Sequence, residues 1–253
     1  MIRSCRYLPA AIEQVCALLR SLDDTSTPTG DGTWTVGETA AHVIGGAKAY
    51  TGYIRGEPSV VKSPEEMGAM HAARFAATPT RDGPGLADLM AEAEGGFVKA
   101  AEGVAPDTEV NWHFGLRMSA DACAGIRLVE QYVHGWDMAT ALRRPWAIPD
   151  EAGATAFAAV SPLYPFWVSP DRAGDAAITV LFRPDGGEDF LASIREGRMV
   201  LGSDATPDAV VDGPGGAFML LVYGRGKADE LGLRVSGPDP SALDHWLAIA
   251  KSP

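Results

Sequence analysis

Residues 119–143 read SADACAGIRLVEQYVHGWDMATALR. The stretch has no proline, and its glycines stand at positions 125 and 135. At roughly 100° per residue, Ala122, Ile126, Val129, Val133, Trp136 and Ala141 fall on one arc, which predicts a helix with an apolar face for burial. Glu130 and Asp137 fall on that same arc, with His134 at its edge. A carboxylate turned toward a core is costly unless something compensates it. Glu130 and His134 are spaced i, i+4 and so project side by side. A carboxylate and an imidazole so placed are two of the ligands a divalent metal needs.

A third donor has to come from another helix. Apolar residues recur at helical period from Pro9 to Leu22. Residues 23–33 read as a loop from their Asp, Thr, Gly and Pro content. Thr35 and Glu38 have capping-box spacing, predicting a helix that carries His42 two turns in and ends near Gly56–Pro58. A weaker helical pattern covers 63–77, Gly83–Pro84–Gly85 reads as a breaker, and residues 86–104 form a third long helix. Residues 105–118 read as a connection with some extended structure. Four long helices with modest connections predict a bundle, whose inward side chains can hold a metal. His42, Glu130 and His134 would leave an open position, the catalytic pattern for zinc; iron or nickel suit the same donors. Spacing alone leaves a second reading open: an i, i+4 hydrogen-bonded pair beside a core histidine. Asp137, one turn beyond His134, is placed either to orient that histidine or to bond a neighbouring helix. His71 and His245 read as structural or solvated, His113 as a surface or aromatic-packing residue with approach to the site as the alternative, and Cys123 as a small core residue.

After residue 143 the pattern changes. Residues 143–151, with two prolines, read as a linker. A helical stretch at 151–161 is followed by short β-like runs at 176–182, 189–195, 198–202, 208–213 and 231–237. Residues 217–225 favour helix, as do 241–251. The fold class is therefore α+β: a helical bundle over 1–146 and a small α+β domain over 147–253. Arg225, between glycines at the end of an apolar segment, is a candidate binder of a substrate carboxylate, against the alternative of a surface arginine.

The 253 residues carry a net charge of −12 and are 46% hydrophobic. That balance disfavours nucleic acid and anionic membranes as partners. No apolar run approaches the 18 or so residues of a membrane span, and the N-terminus lacks a signal-peptide pattern. Three scattered cysteines form neither a disulfide framework nor a metal motif, so a cytoplasmic location is expected. Scarce lysine beside abundant alanine, glycine and proline associates the chain with a GC-rich bacterial genome.

The segments TWTVGETAAHVIG (33–45) and WHFGLRMSADACAGIRLVEQYVHGWDMATAL (112–142) resemble the mycothiol-dependent maleylpyruvate isomerase family. The resemblance implies a DinB-like four-helix metal-binding bundle followed by a sterol-carrier-like domain. It places the family's metal ligands on His42, Glu130 and His134, and a commonly seen arginine on Arg225. It implies a divalent metal, with zinc first, and mycothiol as thiol cosubstrate. The activity it implies is isomerisation, or thiol transfer, on a small electrophilic and acidic substrate. The cleft between the domains is the expected substrate site, and the chain is expected as a monomer or homodimer. A metal-responsive sensor and an apolar-ligand carrier are the non-catalytic alternatives.

Overall fold

Three of the four long helices of the N-terminal half start where a side chain accepts from one of the first free N–H groups. Helix α2 (Val36–Ile54) opens on a complete capping box between Thr35 and Glu38. Asp82 accepts from the Gly85 N–H at 2.7 Å to start α4 (Gly83–Ala101), and Ser119 accepts from the Ala122 N–H at 3.1 Å to start α5 (Ala120–Ala141). Helix α1 (Leu8–Arg20) carries Pro9 in its first turn, where the missing N–H costs nothing. The computed structural model describes residues 1–30, 32–202 and 204–250. Asp31 of the expected loop and Lys251 of the expected last helix lie outside the described residues.

The chain folds as two compact units, Met1–Trp146 and Ala147–Pro253. In the first, α1 and α2 each pack against both α4 and α5, which closes a four-helix bundle. Helix α3 (Met67–Ala77) lies on α2. Two small ribbons complete the unit. Strand β1 (Pro28–Thr29), inside the region expected as loop, pairs antiparallel with β2 (Trp34–Thr35) just beyond it, fixing Trp34 at the mouth of α2. Strands β3 (Glu109–Asn111) and β4 (Arg117–Ser119) pair antiparallel ahead of α5.

The second unit starts with α6 (Asp150–Val160) and the short α7 (Pro170–Ala173). The strands are β5 (Ile178–Pro184), β6 (Phe190–Arg195), β7 (Arg198–Leu201), β8 (Ala209–Gly213) and β9 (Arg234–Ser236). They form one sheet in the order β7-β6-β5-β8-β9, antiparallel except for the β5–β8 pair. Helix α8 (Gly215–Val222) packs on α6, and α9 (Ala242–Ile249) packs on β5. Phe157, Phe182, Phe218 and Trp246 meet at ring separations of 5.2–6.2 Å in its core. The helical first unit and the sheet-containing second unit bear out the α+β expectation. No helix among the described residues is long and apolar enough to cross a membrane.

Two expectations need correction. Helix α5 is not amphipathic. Sixteen of its 22 residues are buried, well beyond one arc, because it is packed by α1, α2 and both ribbons; Trp136 and Ala141, expected on the buried arc, are only half-buried. The Gly83–Pro84–Gly85 breaker is instead the first turn of α4. Proline is tolerated there, and Gly83 is required by a close approach. A Cβ on it would stand 2.2 Å from Leu19 O and 2.6 Å from Leu22 O, at the end of α1. Gly83→Ala is therefore expected to destabilise the protein by about 1–3 kcal/mol through overpacking. Gly95→Ala in the same helix, where a Cβ meets nothing within 4 Å, should be neutral or stabilising by up to about 1 kcal/mol. Urea unfolding of the two variants against wild type checks the contrast.

Candidate metal centre

The centre is built from α2 and α5, with α3 and β2 along its side. His42 on α2 directs Nε2 at Glu130 Oε2 across 3.1 Å. His134, one turn beyond Glu130 on α5, directs its own Nε2 at the same oxygen across 3.6 Å. One donor atom from each of the three residues lies within 4.8 Å of the other two. His134 Nδ1 is 3.1 Å from Asp137 Oδ2, so the ring has one nitrogen tied back and the other turned to Glu130. The two imidazoles are held differently. His42 Nδ1 is buried without a hydrogen-bond partner, and its ring is wedged between Trp34 and His71, each with a centroid 4.9 Å away.

Glu130 retains some exposure, 22% of its side chain. Burial works against its charge, but His42, His134 and Arg127 outweigh it and hold the carboxyl well below its ordinary range. Burial pushes His42 down from 6.5, with Glu130 opposing. A neutral imidazole and an ionised carboxylate are the forms that bind a metal. Two imidazoles and a carboxylate converging on one point, with a second carboxylate behind one imidazole, fit a divalent ion of the zinc type.

Beneath the trio lies a charge pair that no motif announced. Arg127 and Glu94 are both fully buried. Arg127 Nη2 donates to Glu94 Oε1 and, at 3.0 Å, to Val43 O. Gln131 Nε2 donates to the same Glu94 oxygen at 2.6 Å. Arg127 Nη1 stands 4.0 Å from Glu130 Oε2, so the guanidinium lies between the two carboxylates. A Cβ on Gly46 would come 2.7 Å from Arg127 Nη1, so α2 is bare where the arginine passes. The available signal was Arg127 three residues before Glu130 within an otherwise apolar run.

His71 departs from its expected role, while His113 takes the aromatic-packing one. His71 was read as structural or solvated, yet it stands edge-on to His42 and to Trp34, with Nε2 buried and unpartnered. Burial, with His42 and Arg74 nearby, pulls it down to about 4, so it is neutral near pH 7. His113 is buried in an aromatic cluster with Tyr50 and Tyr53, and its Nδ1 lies 3.2 Å from Tyr53 Oη. Cys123 is fully buried on α5, and burial pushes its thiol up to about 12. Arg225 belongs to the second unit, just beyond α8, where its Nη1 donates to Tyr223 O at 2.7 Å.

Two family models match the chain. Residues 8–139 match the mycothiol maleylpyruvate isomerase N-terminal domain, and residues 152–244 match the C-terminal domain of the same family. No curated protein matches the sequence. Among solved structures, the mycothiol-dependent maleylpyruvate isomerase and a histidine-to-alanine variant of it share this fold. Each aligns with a TM-score of 0.57 at 15% identity, over 92% of this chain and 91% of the other.

The buried pair beneath the trio makes its own prediction. Arg127→Met strands the Glu94 charge in the core and is expected to cost about 3–5 kcal/mol. Adding Glu94→Gln removes that charge and should restore most of the loss, as read by equilibrium unfolding of the two variants.

Proposed function

Because this chain belongs to the mycothiol maleylpyruvate isomerase family, we propose that it is a metal-dependent enzyme that uses a low-molecular-weight thiol, mycothiol first, on a small electrophilic acid. The convergence of His42, Glu130 and His134 carries this reading. In it, those three residues hold a divalent ion, zinc before iron or nickel, and Asp137 orients His134 through Nδ1. When bound, the ion acts as a Lewis acid and favours the thiolate over the thiol of a ligand at its open position.

The chain's own cysteines are poor candidates for the nucleophile. Burial pushes Cys5 and Cys16 up to about 11 and Cys123 to about 12, so all three stay protonated near neutrality. In this reading the sulfur comes from a small thiol. Addition of a thiolate to one carbon of a cis alkene conjugated to a carbonyl leaves a single bond there and an enolate on the acceptor side. Rotation about that bond and expulsion of the same thiolate restore the double bond as trans, with no net change in atoms or electrons. In the transferase version the adduct takes up a proton and leaves. The neutral imidazole of His71 and the indole of Trp34 wall this side of the trio and limit water there. Arg225 is proposed to hold a carboxylate of the acid, and a cytoplasmic location suits reduced thiols.

Elemental analysis of the purified protein, before and after incubation with zinc, iron and nickel, is the first test. About one metal ion per chain is expected, lost in both His42→Ala and Glu130→Ala, with saturable mycothiol binding to the loaded protein. Asp137→Asn should keep the site but weaken metal affinity about 10–100-fold. A wild type that takes up none of the three metals would sink the reading. Metal uptake without any thiol affinity would favour a sensor over an enzyme.

A further inference from the structure

Helix α3 turns one face to the metal centre. His71, Arg74 and Phe75 are spaced i, i+3 and i+4 and so share that face. His71 meets the His42 ring at 4.9 Å and the Trp34 ring at 5.1 Å, and Phe75 meets Trp34 edge-on at 5.3 Å. Arg74 lies along α2. A Cβ on Gly45 would stand 2.6 Å from Arg74 Cδ and 2.7 Å from its Cγ. Gly45 thus leaves α2 bare for the stem of Arg74, as the next residue, Gly46, does for Arg127. The two arginines are not equivalent. Arg127 is buried and paired with Glu94. Arg74 is half-buried, and its guanidinium makes no hydrogen bond or ion pair among the described residues. It lies within electrostatic reach of Glu130, Tyr50 and Tyr53.

Charge balance points the same way. With Arg127 offset by Glu94, the centre has Glu130 and Asp137 against Arg74, an excess of one negative charge. A divalent ion on the trio turns that into an excess of one positive charge, in a site walled by aromatic rings where charge is poorly screened. A bound anion offsets that excess, whether the thiolate of the proposed cosubstrate or an acid group of the substrate. The planar N–H fork of an arginine matches a carboxylate with two parallel hydrogen bonds. The buried, unpartnered Nε2 of His71, one turn before Arg74, offers a further hydrogen bond to the same ligand.

We propose that Arg74 is a carboxylate-binding residue of this site, holding an acid group of the substrate on α3 beside the His42–Glu130–His134 trio. The proposal rests on the functional reading above and deepens it, since it assigns substrate recognition to a helix that supplies no metal ligand.

Maleate, a small cis-ene dicarboxylate, is the probe. Calorimetric titration into wild type, Arg74→Gln, Arg74→Lys and Gly45→Ala, each metal-free and zinc-loaded, makes the test. Arg74→Gln is expected to weaken maleate at least tenfold, with zinc content, mycothiol affinity and thermal melting unchanged. Arg74→Lys, which keeps the charge but loses the fork, should weaken it less. Gly45→Ala should weaken it as well, because the added methyl displaces the arginine stem. If Arg74→Gln does not fold, the lysine and alanine variants carry the comparison. Unchanged maleate affinity in the variants, or no saturable maleate binding by wild type, overturns the proposal. So does loss of zinc together with maleate, which marks a structural residue, or loss of mycothiol in place of maleate, which marks a counter-ion to the thiolate. A protein that takes up no zinc overturns the metal reading and this proposal together, whereas zinc uptake with maleate affinity unchanged by Arg74→Gln overturns this proposal alone.

Discussion

A carboxylate near the centre of a helical bundle must be compensated, and the first unit is arranged around that requirement. Glu130 projects from α5, the helix packed by α1, α2 and both ribbons. Its charge is answered by an imidazole from α2, an imidazole one turn along α5 and the Arg127 guanidinium below. Arg127 is itself fully buried and needs Glu94 from α4. The three helices are thus tied by a chain of charges as well as by apolar packing. Ionic groups in such a place add little net stability over well-packed hydrophobic residues.

The apparatus around the trio is economical in its use of small residues. Consecutive glycines at 45 and 46 clear α2 for one arginine on each side. Arg127 passes on the core side, where it is neutralised, and Arg74 on the α3 side, where it is not. The rings of Trp34 and His71 flank His42, with Phe75 edge-on behind Trp34, and lower the local polarity without themselves bringing charge. Trp34 owes its position to a two-residue ribbon and to the capping box that follows, so a local backbone device at the start of α2 sets one wall of the site.

How far the sequence could be read depended on the range of the interaction concerned. Helix starts and periodicity are local, and the capping box of α2, the long helices and the strand-rich second half were legible from spacing alone. The glycine–proline cluster at 83–85 was misread because a helix-initiating turn and a breaker share a composition; only the contact with the carbonyls ending α1 separates them. The apolar arc of α5 was legible, but the arc understated its burial, since small residues such as Ala124, Gly125 and Ala139 are also enclosed. His71 stood on a weakly patterned helix, and nothing local to it indicated that α3 would bring it against His42.

The sequence by itself determined the helical periods, the caps, the change to short β-like runs from residue 176, and the i, i+4 placement of Glu130 and His134, because these depend on neighbours a few residues apart. Tertiary structure decided that His42, 88 residues before Glu130, comes within 3.1 Å of it. It also decided that Arg127 finds Glu94, and that the stem of Arg74 lies over Gly45. Those outcomes depend on how separate helices pack. Helix packing is set by the fit of whole side-chain surfaces, which no spacing rule within one segment contains.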